Sequence, residues 1–368
     1  MKRRRSIVKA VIIAACVAGT VAVYADYGAG VAAYKEGDYV RALTVFSPLA
    51  EAGDARAQFA LGLLFDNGEG TPRDDAAAFA WYRKSAAQGF AKAQYNLALM
   101  CEARRAVCAD SARDWFARAA LRGNADAVTR LRGYASAGDV EAALQLGRMY
   151  TQGRGVARDP RAAYAWFEQA ATAGHADAAF ALGVLHEQGV GVAQSYAEAA
   201  RWYARAAEQG QVQAQFNLAR LYRLGRGVAA DQVRARTLYE AAAEAGLVSA
   251  QLSLAMLFEA GRSWPQDPAL ALSWYQRAAR GGSVDAQINL AFIYAEGRGV
   301  ERDLIEACAL LHVASERQTA LARDNHAVLC ADLDPAARRL VDRRAEHYRG
   351  ETVGQAARVP ARSRADTG

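Results

Sequence analysis

The stretch Gly153-Arg154-Gly155-Val156-Ala157-Arg158-Asp159-Pro160 has the ingredients of an anion cradle. Closely spaced glycines let backbone N–H groups converge on a phosphate, and an arginine stands between them. The corner returns as Gly68-Glu69-Gly70-Thr71, as Gly189-Val190-Gly191-Val192, and as Gly-Arg-Gly-Val from Gly225 and Gly297. No copy completes G-x-G-x-x-G, and no Gly-Lys pair exists for a P-loop. A phosphate site needs one special loop, so five interchangeable ones read as corners between helices. The five histidines, at 175, 186, 312, 326 and 347, never form H-E-x-x-H, and no G-x-S-x-G occurs. The single S-x-x-K, Ser6 with Lys9, falls inside an N-terminal apolar leader. Asp74-Asp75 reads as capping before catalysis. No catalytic residue, metal ligand or cofactor is expected.

Five cysteines remain to be placed. Residues 1–25 hold Lys2, Arg3, Arg4, Arg5 and Lys9 and no acid, then run apolar from Ala10 to Val23. Val23-Tyr24-Ala25 offers small residues for cleavage before Asp26, so 1–25 reads as a signal peptide of an exported, periplasmic protein. An uncleaved anchor and a lipid on Cys16, after Ile13-Ala14-Ala15, are the competing readings; the apolar residues after Cys16 speak against the lipid. Export puts Cys101, Cys108, Cys308 and Cys330 in an oxidising compartment. The formal charge of +6 sits in the termini: residues 338–368 carry eight arginines against four acids, and the body between is net acidic. A body that tracks nucleic-acid phosphates is excluded.

Glycine corners need helices on both sides, and the chain repeats such helices. Ala57, Ala93, Ala142, Ala178, Ala214, Ala250 and Ala286 open matching segments; from Ala142 each step is 36 residues. A leucine follows at offset 4 (Leu61, Leu146, Leu182, Leu218, Leu254, Leu290) and an aromatic or His186 at offset 8. That spacing is one face of a first helix, helix A. After the corner, Asp74, Asp159, Ser195, Asp231, Asp267 and Asp303 cap a second, helix B, with Pro160 and Pro268 at its first position. Trp81, Trp166, Trp202 and Trp274 stand at offset 24, and the Trp and Tyr are expected to fill the gap between hairpins. Alanine pairs follow, and Gly89, Gly174, Gly210, Gly246 and Gly282 close helix B. Such a hairpin cannot bury its apolar face alone, so the units must stack.

The pattern A-x-x-x-L-G-x-x-Y-x-x-G-x-G-V-x-x-D, then W-Y/F and A-A-x-x-G, resembles the Sel-one-like repeat family, relatives of the tetratricopeptide repeats. The resemblance covers residues 57–318 and implies an all-α fold, a right-handed α-solenoid of stacked helix-turn-helix repeats with a 36-residue period. Residues 26–56 look like a leading helical hairpin, 127–141 like an insertion, 319–350 like C-terminal capping helices, and 351–368 like a disordered tail. The unit from Ala93 lacks its glycine corner, and a Cys101–Cys108 bridge is expected there instead. A Cys308–Cys330 bridge is expected in a hairpin turning near Gln318. Trp264 stands in the corner of the unit from Ala250.

In related solenoids helix A lines the concave face. Offsets 2, 6, 9 and 10 would then face a groove, and they include Arg148, Gln152, Glu187, Gln188, Arg220, Arg223, Phe292 and Glu296. Such a mixture suits an extended peptide or a partner's helix. The expectation is a monomeric, non-enzymatic exported scaffold binding protein partners in an envelope or secretion process, with membrane contact only through its leader. The alternatives are a β-lactamase-like or cell-wall-active enzyme, an activity linked to some cysteine-rich members of the family, and a lipoprotein assembly factor for polysaccharide export.

Overall fold

Alanine, arginine and leucine dominate the repeated segments, and polar side chains stand where most helices must start. A computed structural model of the chain describes residues 27–317 and 320–355, with helices and no strand among them. The expected signal segment and Cys16 lie outside the described residues. The chain divides into two compact units at Asp159 and Pro160, each an α-solenoid stack of helical hairpins. The first holds α1 (Tyr27–Lys35), α2 (Tyr39–Glu51), α3 (Ala55–Asn67), α4 (Asp75–Ala87), α5 (Ala91–Glu102), α6 (Ala112–Leu121), α7 (Ala125–Ser136) and α8 (Val140–Gln152). The second holds α9 (Pro160–Thr172), α10 (Ala176–Gln188), α11 (Tyr196–Glu208), α12 (Val212–Leu224), α13 (Gln232–Glu244), α14 (Val248–Ala260), α15 (Pro268–Arg280), α16 (Val284–Glu296), α17 (Leu304–Glu316), α18 (Ala320–Leu329) and α19 (Pro335–Gln355). No described helix is long and apolar enough to cross a membrane.

The caps fall where the sequence puts them. Asp74, Ser195, Asp231, Asp267 and Asp303 accept from first-turn N–H groups of α4, α11, α13, α15 and α17. A second device is hidden in the repeated Ala-Gln. The buried Gln58, Gln94, Gln251 and Gln287 each donate Nε2 to a carbonyl eight residues back, at the end of the preceding helix. A helix C-terminus has spare carbonyls, so this side chain welds one hairpin to the next.

Trp274 alone among these tryptophans is buried, and at the other positions the indole does not fill the gap between hairpins. The next residue does: Tyr82, Tyr203 and Tyr275 are wholly buried, and Phe167 and Tyr239 nearly so. Trp81, Trp166 and Trp202 are only half-buried. Helix B buries Ala78, Tyr82, Ser85 and Ala86, a stripe at i, i+4, i+7 and i+8, and the indole at offset 24 sits at its margin. There it carries a cation: Lys84 Nζ is 3.9 Å from the Trp81 ring centroid, Arg205 4.9 Å from Trp202, and Arg277 4.5 Å from Trp274.

In two repeats the buried ring sits in a notch on helix A. Gly62 supplies one, since a Cβ there would overlap the Tyr82 ring; Gly183 does the same for Tyr203. Gly30 of α1 bears the same relation to Phe46 of α2. The leading hairpin therefore packs as a repeat. At the other end α19 lies against α17, where Arg344 donates to Asp303 at 2.6 Å and to Glu306 at 2.8 Å. It runs on to Gln355, into the stretch the sequence leaves as tail. Residues 125–136 form one extra helix, α7, with Ala127, Val128, Leu131 and Ala135 buried. Both expected cystines form, with Cα separations of 5.8 Å for Cys101–Cys108 and 5.9 Å for Cys308–Cys330. Trp264 takes the corner valine's place: it is buried, packs tilted against Phe258 with ring centroids 5.4 Å apart, and donates Nε1 to the Gln232 carbonyl at 3.2 Å.

Candidate functional site

Helix A buries one side only. In α14 the buried residues are Ala250, Gln251, Leu254, Ala255 and Phe258, offsets 0, 1, 4, 5 and 8. Offsets 2, 6, 9 and 10 therefore fall on the opposite side, where the groove is expected. In the first unit α8 presents Arg148 and Gln152, both exposed. In the second, Gln188 and Glu296 are exposed, and Glu187, Arg220, Arg223 and Phe292 are partly buried. The Arg223 guanidinium Nε is buried and has no hydrogen-bond partner.

Two of these residues meet. The Arg220 guanidinium donates to the Glu187 carboxylate, and the Tyr203 hydroxyl donates to the same carboxylate at 2.7 Å. Burial and then Glu187 hold the Tyr203 phenol well above its usual range, so it remains a donor. The motif recurs at offset 9. Asp66 accepts from Tyr82 at 3.2 Å and from Arg105. Glu259 accepts from Tyr275 at 2.5 Å and from Arg298 at 2.6 Å. In each case a cation of one hairpin reaches an acid of the hairpin before it, and that acid is fixed by a buried tyrosine. Arg298 is the arginine of a Gly-Arg-Gly-Val corner, so this corner's positive charge closes a joint between repeats. Glu296 is likewise engaged, 2.7 Å from Arg298 Nε. The charged half of the expected groove is thus largely internal structure.

Beside these joints that side also carries exposed apolar side chains. At offset 6 stand Val184, Arg220, Met256 and Phe292, and at offset 10 Gln188, Leu224, Ala260 and Glu296. Met256 is 51 % exposed and Leu224 42 %. Phe180, Phe216 and Leu252, at offset 2, are partly buried beside them. Sequence reasoning marked these columns yet named only their polar members and Phe292. Exposed large apolar side chains on one face shed water when a partner covers them. Among the described residues no group of three or more His, Cys, Asp or Glu could hold a metal ion. The arrangement suits recognition of another chain.

Comparison with known proteins agrees with this architecture. A family model described as Sel1 repeat matches residues 55–90, 91–124, 140–175, 176–211, 212–247, 248–283 and 284–318, more than half of the chain. A Sel1 repeat protein from Oxalobacter formigenes is 31% identical; the match covers 80% of this chain and 100% of that one, with a TM-score of 0.44. A protective antigen of uropathogenic Escherichia coli strains, displaying an SLR fold, is 27% identical over 93% of this chain and 88% of its own, TM-score 0.41. The yeast Tom70 structure is 13% identical over 90% and 95%, TM-score 0.28. No curated protein matches the chain.

Proposed function

The chain belongs to the Sel1 repeat family, whose members are typically protein-interaction scaffolds, and from that premise we propose an exported, non-enzymatic scaffold that grips a protein partner. The gripping face is the side of α10, α12, α14 and α16 that turns away from their helix B partners. The partner presents an apolar segment, a helix face or an extended strand, to Leu224, Met256 and Phe292. The observation that carries this reading is the exposure of Leu224 and Met256 on the side of helix A that its own hairpin leaves uncovered. Gln188 and Glu296 supply polar rim contacts, while Glu187 and Arg220 hold the face in shape. Two cystines support an oxidising compartment, in keeping with the basic and apolar leader at 1–25 and with a role in a bacterial envelope or in secretion.

The test is site-specific photocrosslinking in cells at Met256 and, as control, at Arg205 on helix B. A partner joined at Met256, and bound at least about tenfold more weakly by purified Leu224→Glu/Met256→Glu protein, is the expected result. A partner joined only at Arg205, or bound equally by the double variant, overturns the reading. Mature protein beginning at Asp26 is expected if the leader is cleaved.

A further inference from the structure

One corner is built unlike the rest. After α5 the chain adopts the left-handed conformation at Arg104, φ 54°, where the other corners have glycine; no other described non-glycine residue has positive φ. The apolar residue that the other corners turn inward is here Val107, 97 % exposed. The loop thus lacks both of the usual anchors. It has two of its own. Cys101 and Cys108, seven positions apart, close it covalently. Between them Arg105 reaches back to Asp66, at the end of α3, and to both carboxylate oxygens of Asp75, the first residue of α4. Asp66 in turn accepts from the buried Tyr82, which accepts from Asn96 at 3.0 Å.

We propose that the Cys101–Cys108 cystine is a redox control on this joint: intact, it holds Arg105 on Asp66 and Asp75; reduced, it frees the loop and loosens α4 from α5. The physical reason is entropic. Arg105 sits on a loop of seven steps, and its two ion pairs are partly exposed, each too weak to order a free loop. Closure by the cystine confines residues 102–107 to the few conformations in which the guanidinium meets both acids. Reduction needs a dithiol reductant. Its thiolate attacks one sulfur, the other leaves as thiolate, and the second thiol of the reductant resolves the mixed disulfide. Two electrons and two protons pass to Cys101 and Cys108, and the reductant becomes a disulfide. The Cys308–Cys330 pair has no such role: Cys308 is fully buried, and Arg317, between its cysteines, reaches back to a carbonyl, that of Gly282 at 3.2 Å, rather than to an acid.

The experiment is hydrogen exchange read by mass spectrometry on the full chain. Cys101→Ser/Cys108→Ser is expected to exchange roughly tenfold faster in peptides covering 66–78 and 101–110, with 212–260 unchanged. Arg105→Gln with the cystine intact accelerates 66–78 alone. The triple variant exchanges at 66–78 no faster than Arg105→Gln, because the cystine acts through that arginine. Unchanged exchange at 66–78 in the cysteine variant, or effects that multiply in the triple variant, overturns the proposal. Should the cysteine variant lose protection everywhere, wild-type protein is folded oxidised, partly reduced with dithiothreitol and alkylated. The species alkylated only at Cys101 and Cys108 must then lose protection at 66–78; if it keeps it, the proposal fails.

Discussion

Glu187 decides whether the acid at offset 9 is a joint or a ligand reader. Replacement by alanine removes the acceptor of the wholly buried Tyr203 hydroxyl, 2.7 Å away, and the partner of Arg220. A hydrogen bond to a charged acceptor is worth about 1.5–3 kcal/mol when the donor left behind is buried. Arg220 is 38% exposed and turns to water, so its ion pair adds about 0–1 kcal/mol. The loss of stability should therefore come to about 2–3 kcal/mol. Tyr203→Phe removes only the donor; Glu187 keeps Arg220, and the cost falls to about 1 kcal/mol. Combined, the two substitutions should cost less than their sum by roughly 1 kcal/mol, because both break the same bond. Urea denaturation followed by far-ultraviolet circular dichroism measures all three. If Glu187→Ala shifts stability by less than about 0.5 kcal/mol, or the pair is additive, the joint is not structural and the account of the recurring tyrosine–acid–arginine motif is wrong.

Two corner glycines give a matched pair. A Cβ at Gly191 would stand 2.6 Å from the Pro160 carbonyl oxygen, whereas at Gly299 the nearest atom is Pro268 Cβ at 3.6 Å. Both have positive φ, so alanine costs about 1–2 kcal/mol at either, but only Gly191→Ala adds a backbone collision and should cost at least about 1 kcal/mol more in thermal or urea melts. Acid lability supplies another check. Arg105, then Arg73, pull the Asp75 carboxyl well below its usual range. A depressed folded-state value means the stabilisation is present above the unfolded value near ~4 and is lost as pH falls through the folded one. Arg105→Gln should therefore flatten the loss of stability between about pH 4 and pH 2, measured by circular dichroism; an unchanged acid limb would refute the pairing.

The period of 36 residues, the caps at Asp74, Ser195, Asp231, Asp267 and Asp303, and the left-handed glycines were all legible in the sequence. So were the two cystines. These are local: a cap, a turn or a helical stripe is set by residues within a few positions of one another, and one-dimensional spacing suffices to place it. What faces what between helices was not local. Residues 81 and 82 are both aromatic and adjacent, and only the packed helix angle makes Tyr82 the buried ring and leaves Trp81 to a lysine. Glu187 and Arg220 lie 33 positions apart, and their pairing, which turns two apparent groove charges into a joint, exists only once neighbouring hairpins stack. The same stacking engages Glu187 and Arg220 and leaves Leu224 and Met256 exposed. Sequence fixes where each helix begins, ends and turns its apolar face; side-chain directions across the stack decide which residues remain to meet another molecule.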